Sequence, residues 1–160
     1  MSPETGRGRA SALLLAFRIL IAAGLITSAV IHFQLAAGYQ QAAPGGIGQG
    51  NLFRIQAVVA ILSGLYVLVR GSRPAFLVAA VVALSAFAAV NLYRYVDLPA
   101  FGPIPAMYEP VWFTEKVIVA VVEGVAGALS IAGYILLSRA AEPRPGHFNP
   151  VNRGGGAPAH

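Results

Sequence analysis

Four long apolar segments constrain the fold of this 160-residue chain more than any other feature. They occupy residues 11–37, 52–69, 75–93 and 114–138. The length of each is near the ~20 residues that an α-helix needs to cross about 30 Å of hydrocarbon. A backbone exposed to lipid must form its hydrogen bonds within the protein, and an α-helix does so within one segment. The segments also lack the alternation of apolar and polar residues that is typical of β-barrel strands. The sequence therefore predicts an all-α fold, a membrane bundle of four transmembrane helices in one domain.

The composition agrees with a membrane protein. Hydrophobic residues make up 57% of the chain and charged residues 11%, whereas a soluble domain has about 25% charged residues. The net charge is +5, but the basic residues lie at the ends of the apolar segments, and no aromatic–basic face or zinc-finger spacing occurs. We therefore predict no nucleic-acid partner. The predicted partner is the lipid bilayer, with a membrane-protein partner or a homodimer as further alternatives.

The ends of the chain are expected to lie outside the bundle. Residues 1–10 are predicted to form a cytoplasmic N-terminal tail, and residues 139–160, which are rich in proline and glycine, a disordered cytoplasmic C-terminal tail. Arg7 and Arg9 before the first apolar segment also fit a signal peptide. The apolar character continues to residue 37, however, and this favours a retained helix over a cleaved one.

The arginine and lysine residues predict the orientation. With four spans, both termini and the short turn at residues 70–74 share one side of the membrane. That side carries Arg7, Arg9, Arg18, Arg70, Arg73, Arg139, Arg144 and Arg153, and the opposite side carries Arg54, Arg94 and Lys116. The excess of positive charge on cytoplasmic loops therefore predicts that both termini are cytoplasmic, in a bacterial plasma membrane.

The two loops on the opposite side have unusual compositions. The first, residues 40–51, is uncharged and rich in glycine, and the second, residues 97–113, combines four prolines with several aromatic and aliphatic residues. A solvated linker would be more polar. The second loop is interpreted either as an ordered lid on the ends of the helices or as an interfacial loop with aromatic anchors.

Two ionisable residues lie deep in the apolar segments. Glu123 is about 16 Å along a helix from Trp112, near the bilayer midplane, and His32 is about 10 Å from Tyr39 below the same surface. For Glu123 we consider three alternatives: an interhelical hydrogen bond with His32 or Arg54 as the partner, a ligand or proton site, or a subunit contact. For His32 the alternatives are structural hydrogen bonding, proton handling, and a haem or metal ligand.

Most polar residues inside the apolar segments lie toward the side opposite the termini. This asymmetry predicts a polar pocket that opens outward under the proline-rich loop. Its candidate residues are His32, Arg54, Gln56, Asn91, Lys116 and Glu123. The chain contains no cysteine, and neither a catalytic set, a metal site nor a cofactor is predicted from the residues.

Two stretches carry a resemblance to known proteins. They are Ile31-His32-Phe33-Gln34-Leu35 with Gly38-Tyr39, and residues 48–57, which include a Leu-Phe-Arg-Ile-Gln-Ala step. The chain resembles uncharacterised actinobacterial four-span integral membrane proteins and, more distantly, DoxX-like four-helix membrane proteins. The resemblance extends over about residues 10–138. It implies a four-helix membrane architecture and, from the DoxX-like proteins, a link to redox partners and quinones, with His32 and Gln56 as matching positions.

Three functions remain open from the sequence. The leading hypothesis is an accessory subunit or a small-ligand-binding bundle, which is more consistent with a non-enzymatic protein than with an enzyme. The second is a membrane redox, quinone-linked or lipid-linked enzyme accessory, in which Glu123 and His32 exchange protons. The third is a small proton-coupled transporter, which the apolar half of the bundle near the termini disfavours.

Overall fold

The structure is a computed structural model that describes residues 3–141, with side chains from residue 8 onward. Its four α-helices are α1 (Pro3–Ala42), α2 (Gln49–Arg70), α3 (Arg73–Tyr95) and α4 (Thr114–Ala140). Each is long and apolar enough to cross a membrane. The predicted all-α bundle of four transmembrane helices is confirmed, and the chain is a multi-pass membrane protein. The predicted disorder of residues 142–160 lies outside the described residues.

The helices extend beyond the predicted spans. Helix α1 has 40 residues and is about 60 Å long. It begins within the predicted N-terminal tail and ends at Ala42, five residues after the predicted span. Helix α4 likewise includes Arg139 and Ala140, which we had assigned to the C-terminal tail. Apolar composition marks only the part of a helix that crosses hydrocarbon, whereas the backbone hydrogen bonds continue beyond it.

The helices run alternately up and down, and each packs against its neighbours in the chain. Helix α1 packs most extensively against α2, and α3 against α4, while α1 and α4 close the bundle. Helices α2 and α3 make the least extensive of these four contacts. We call the side formed by residues 43–48 and 96–113 the loop end, and the side with the turn at residues 71–72 the turn end.

Small side chains fill the interior, and large apolar ones cover the outside. Twelve of the eighteen buried apolar residues are alanines. Larger apolar side chains face outward, for example Leu62 with 61%, Val69 with 72% and Val81 with 60% of their surface exposed. Small residues let membrane helices approach closely, and lipid tails solvate the large apolar ones. The distribution is that of a bundle whose outer surface contacts lipid.

At the turn end, two arginines close the C-termini of neighbouring helices. Gly71 adopts a left-handed conformation with φ of 54° and donates its N–H to the Val67 carbonyl. Arg18 of α1 donates to the same carbonyl at 3.2 Å, and Arg73 donates to the Leu137 carbonyl of α4 at 3.0 Å. The last carbonyls of a helix lack partners within it. These two arginines satisfy some of them and place a positive charge at the negative ends of the helix dipoles.

At the loop end, residues 96–113 form an ordered covering, which we call the lid segment. Ile47 of the first loop donates its N–H to the Pro103 carbonyl at 2.8 Å, and Glu109 donates its N–H to the Tyr93 carbonyl at 3.0 Å. Pro105 is buried. These contacts attach the lid segment to the other loop and to α3. Of the two interpretations of this loop, the structure favours the ordered lid.

Candidate functional site

A cavity of about 230 Å³ lies in the loop-end half of the bundle. All four helices and the lid segment contribute to its wall, which is mostly apolar. The polar residues in the wall are His32, Tyr39, Gln49, Gln56, Ser85, Tyr93, Glu109 and Lys116. A largely apolar cavity with a few polar groups is typical of small-molecule sites, although sites for whole drug-sized ligands are larger, at about 300–1,000 Å³.

Below the cavity, a buried hydrogen-bonded cluster joins α1 to α4. Ser28 donates its hydroxyl to Oε1 of Glu123 at 2.6 Å, and both residues have no exposed surface. Nδ1 of His32 lies 2.9 Å from the Ser28 carbonyl oxygen and 3.2 Å from its hydroxyl oxygen. We call Ser28, His32 and Glu123 the polar cluster. It links the carboxyl near the middle of the bundle to a ring in the cavity wall.

The contacts of His32 fix which of its nitrogens faces the protein. A carbonyl oxygen can only accept, so Nδ1 carries a proton and donates it to Ser28. In the neutral ring, Nε2 is then an acceptor. It makes no hydrogen bond within the described residues and is not among their enclosed, unpartnered atoms. The polar cluster therefore orients the ring so that its free acceptor remains accessible in the cavity.

Two further polar atoms near the cavity have no partner among the described residues. They are Oε2 of Glu123 and Nε2 of Gln56, and both are fully enclosed. An enclosed polar atom without a hydrogen bond costs about 1–3 kcal/mol. The terminal torsion of a glutamine is soft, so Gln56 can turn either end of its amide toward an occupant of the cavity. The Nε2 atom of Gln56 therefore has no hydrogen bond that such a rotation would break.

The lid segment supplies the upper wall of the cavity through Glu109. Tyr39 donates its hydroxyl to Oε2 of Glu109 at 3.3 Å, and Lys116 donates to the Glu109 backbone carbonyl at 2.5 Å. The Lys116 ammonium also lies 5.6 Å from the centre of the Trp112 ring, within the range of a cation–π contact. One carboxylate and one ammonium thus share this wall, and the Arg94 guanidinium lies beside them, 5.9 Å from the centre of the same Trp112 ring.

Aromatic rings form one side of the cavity. The His32 and Phe53 rings meet edge to face with centroids 5.1 Å apart, and the Phe53 and Tyr39 rings are tilted with centroids 4.7 Å apart. These are favourable arrangements for aromatic pairs. The row extends along α1 and α2 from the polar cluster toward the lid segment, and it presents ring faces and edges to any occupant.

The structure gathers part of the predicted site. His32, Gln56 and Lys116 line the cavity, and Glu123 lies behind His32, connected to it through Ser28. Arg54 and Asn91 are not in the cavity wall. Of the predicted partners of Glu123, neither His32 nor Arg54 bonds to it: Ser28 donates to the carboxyl instead, and Arg54 donates to Asn51.

Arg54 and Asn91 bond locally instead. Arg54 donates to the side-chain oxygen of Asn51 at 2.6 Å, and Asn91 donates to the Phe87 carbonyl at 2.8 Å. Both partners are three or four residues earlier on the same helix, where side chains are neighbours. The structure therefore places these two residues outside the wall of this cavity, because depth in the membrane does not determine the face of the helix.

Sequence reasoning missed several residues that build the site. Tyr39 served only as a reference for the depth of His32, and Gln49 and Phe53 were not proposed for the site, yet all three line the cavity. One signal was present for α2, since Gln49, Phe53 and Gln56 follow the spacing of one helical face. No comparable signal pointed to the contact between Tyr39 and Glu109, which spans 70 positions in the chain.

No protein-family model, curated protein or solved structure gives a match to the chain. The resemblance to DoxX-like and actinobacterial four-span proteins therefore stays a prediction.

Proposed function

We propose that this membrane protein binds a small ligand in the loop-end cavity. The single observation that carries the proposal is that cavity, an apolar space of about 230 Å³ whose wall includes His32 and Gln56. His32 makes its hydrogen bonds through Nδ1 and not through Nε2, and Nε2 of Gln56 is enclosed without a partner. Buried polar groups are normally paired, so unpaired ones beside a cavity mark a place where an occupant supplies the partner. Binding by an accessory or carrier protein explains this arrangement without a catalytic set.

We also propose the bacterial plasma membrane as its location, with both termini and the turn end in the cytoplasm. The support is the distribution of charge among the described residues: Arg18, Arg70, Arg73 and Arg139 belong to the turn end, and Arg54, Arg94 and Lys116 to the loop end. Short loops follow the positive-inside rule best. The cavity would then lie in the outer half of the membrane, below the lid segment.

Filling the cavity is expected to remove the ligand. Ala89 lines the cavity, and Ala88 next to it is exposed on the outer surface of α3. We expect Ala89→Phe to lower the amount of retained small molecule by about tenfold, equal to about 1.4 kcal/mol of binding free energy. The measurement is mass spectrometry of small molecules extracted from the protein after purification in a mild detergent.

The matched control for this experiment is Ala88→Phe, which adds the same ring on the lipid-facing side. It is expected to retain the small molecule at the wild-type level. Equal small-molecule content in Ala89→Phe and Ala88→Phe, or none in the wild-type protein, would contradict the proposed binding function.

A second candidate function is a quinone- or lipid-linked enzyme accessory. The observation in its favour is the hydrogen-bonded path from Glu123 through Ser28 to His32. Such a path lets a buried carboxyl exchange a proton with a ligand in the cavity, provided that the ring reorients or passes its own proton on. Retention of the ligand by Glu123→Gln together with loss of proton exchange would favour this candidate over simple binding.

A further inference from the structure

The α2–α3 side of the cavity is its least closely packed side. These two helices have the least extensive contact of the four neighbouring pairs. Leu52 and Gln56 of α2 and Ser85 of α3 line the cavity, and Ser85 is also exposed on the surface of the bundle. The lid segment covers the loop end of the same space. The weak α2–α3 contact and the exposed lining residue Ser85 therefore favour entry of an apolar molecule from the bilayer on this side.

The polar atoms in the wall define the group that an occupant must present. Nε2 of His32 is an acceptor, because Nδ1 donates to the Ser28 carbonyl. The occupant therefore needs a hydrogen-bond donor at this point. Gln56 can rotate its unpaired amide to donate to or accept from the same group. A hydroxyl group, which both donates and accepts, satisfies the two side chains at once.

The charges of the wall disfavour an ionised head group. The charged side chains of the wall are the Lys116 ammonium and the Glu109 carboxylate. They lie close together, since Lys116 donates to the backbone carbonyl of Glu109 in the lid segment. An anion that binds near the Lys116 ammonium would be repelled by the Glu109 carboxylate. A cation that binds near Glu109 would be repelled by Lys116. In a medium of low dielectric constant, an added net charge would be costly. An uncharged hydroxyl avoids this cost.

The aromatic side of the cavity favours a ring next to this hydroxyl. His32, Phe53 and Tyr39 form a continuous row with centroids 5.1 and 4.7 Å apart. A planar ring gains edge or face contacts with such a row, worth about 0.5–1.5 kcal/mol per pair beyond its area. The volume of about 230 Å³ suits a ring and its substituents, with any longer apolar chain extending between α2 and α3.

Building on the proposed binding function, we infer that the ligand is an uncharged, lipid-soluble phenol. It reaches the cavity from the bilayer between α2 and α3, and its O–H donates to Nε2 of His32. Its apolar chain leaves through the same opening.

The test compares three probes of equal chain length: para-octylphenol, its methyl ether and octylbenzene. Their affinities are measured by the shift in thermal stability of the full-length protein in detergent, since a ligand that binds the folded state stabilises it. We expect the phenol to bind about tenfold more tightly than the ether or octylbenzene, as one hydrogen bond allows. In His32→Phe this preference is expected to disappear while octylbenzene still binds.

A second measurement avoids any variant that fails to fold. With ¹⁵N-labelled histidine, the Nε2 resonance of His32 is expected to move when the phenol is added and to remain in place with the ether. Equal affinity for the three probes would overturn the phenol inference and leave the proposed binding function intact. Failure of all three to bind would overturn both the ring and the access from the bilayer, whereas the Ala89→Phe comparison tests the binding function separately.

Discussion

Gly50→Ala is expected to destabilise the protein by about 3 kcal/mol. A Cβ atom at Gly50 would overlap the backbone carbonyl oxygen of Ala36 and the side chain of Gln40. A backbone atom in the middle of a helix cannot move aside, so α1 and α2 would have to separate at the place where they pack most closely. The change in the free energy of unfolding is measured by titration with sodium dodecyl sulfate in mixed micelles.

Gly38→Ala is the matched control, because it makes the same substitution in α1 at a position where a Cβ would meet nothing within 4 Å. Alanine favours a helix by about 1 kcal/mol relative to glycine, so we expect this variant to be as stable as the wild type or slightly more so. A Gly50→Ala variant as stable as Gly38→Ala would show that α1 and α2 do not approach as closely as described.

Glu123→Ala is expected to destabilise the bundle by about 3 kcal/mol. The side chain has no exposed surface and accepts the hydrogen bond of Ser28 at 2.6 Å. Its removal leaves a void between α1 and α4 and a buried Ser28 hydroxyl that has lost the acceptor of its hydrogen. The same denaturant titration measures the loss, and Ser28→Ala made in addition would recover part of it, because the unpaired hydroxyl is removed as well.

Glu123→Gln separates packing from charge. An amide has nearly the same shape and offers an oxygen to Ser28, so we expect a loss of only about 1 kcal/mol. A loss as large as that of Glu123→Ala would mean that the carboxyl is needed for a contact other than the one with Ser28. Wild-type stability of Glu123→Ala would contradict the buried position of the side chain.

The helices could be predicted from the sequence because apolar length alone determines which segments can cross a bilayer. The predicted span 52–69 differs from α2 (Gln49–Arg70) by only a few residues. The ends were less predictable: α1 begins at Pro3, in a polar stretch that hydropathy does not distinguish from a tail. Composition reports the environment of a segment, whereas helical hydrogen bonds extend past the membrane surface.

Only the depth of the site residues in the membrane could be predicted from the sequence. His32 and Glu123 were expected at neighbouring levels of the bundle, and they belong to one polar cluster, but the connection through Ser28 depends on how α1 and α4 are rotated. Rotation about the helix axis also separates Gln56, which lines the cavity, from Arg54, which does not. Each residue advances about 100° around a helix, so Arg54 and Gln56 lie on different faces. Depth in the membrane therefore cannot show which of the two lines the cavity.

The lid segment was the least predictable part. Its prolines suggested order, but the position of Glu109 depends on its contacts with Tyr93, Tyr39 and Lys116. These residues belong to three different helices, so their proximity follows from the assembled bundle and from no local pattern. The spacing of charged residues in the sequence could suggest possible pairs but could not select among them.

The most direct test of a small-ligand cavity uses the absence of cysteine from the natural sequence. Single cysteines are introduced as Ala89→Cys in the cavity and Ala88→Cys on the outer surface, and their rates of reaction with N-ethylmaleimide are measured in membranes with and without para-octylphenol. The account predicts that the phenol slows the reaction of Ala89→Cys by about tenfold and leaves that of Ala88→Cys unchanged. Equal rates at both positions, with no protection of Ala89→Cys, would contradict it.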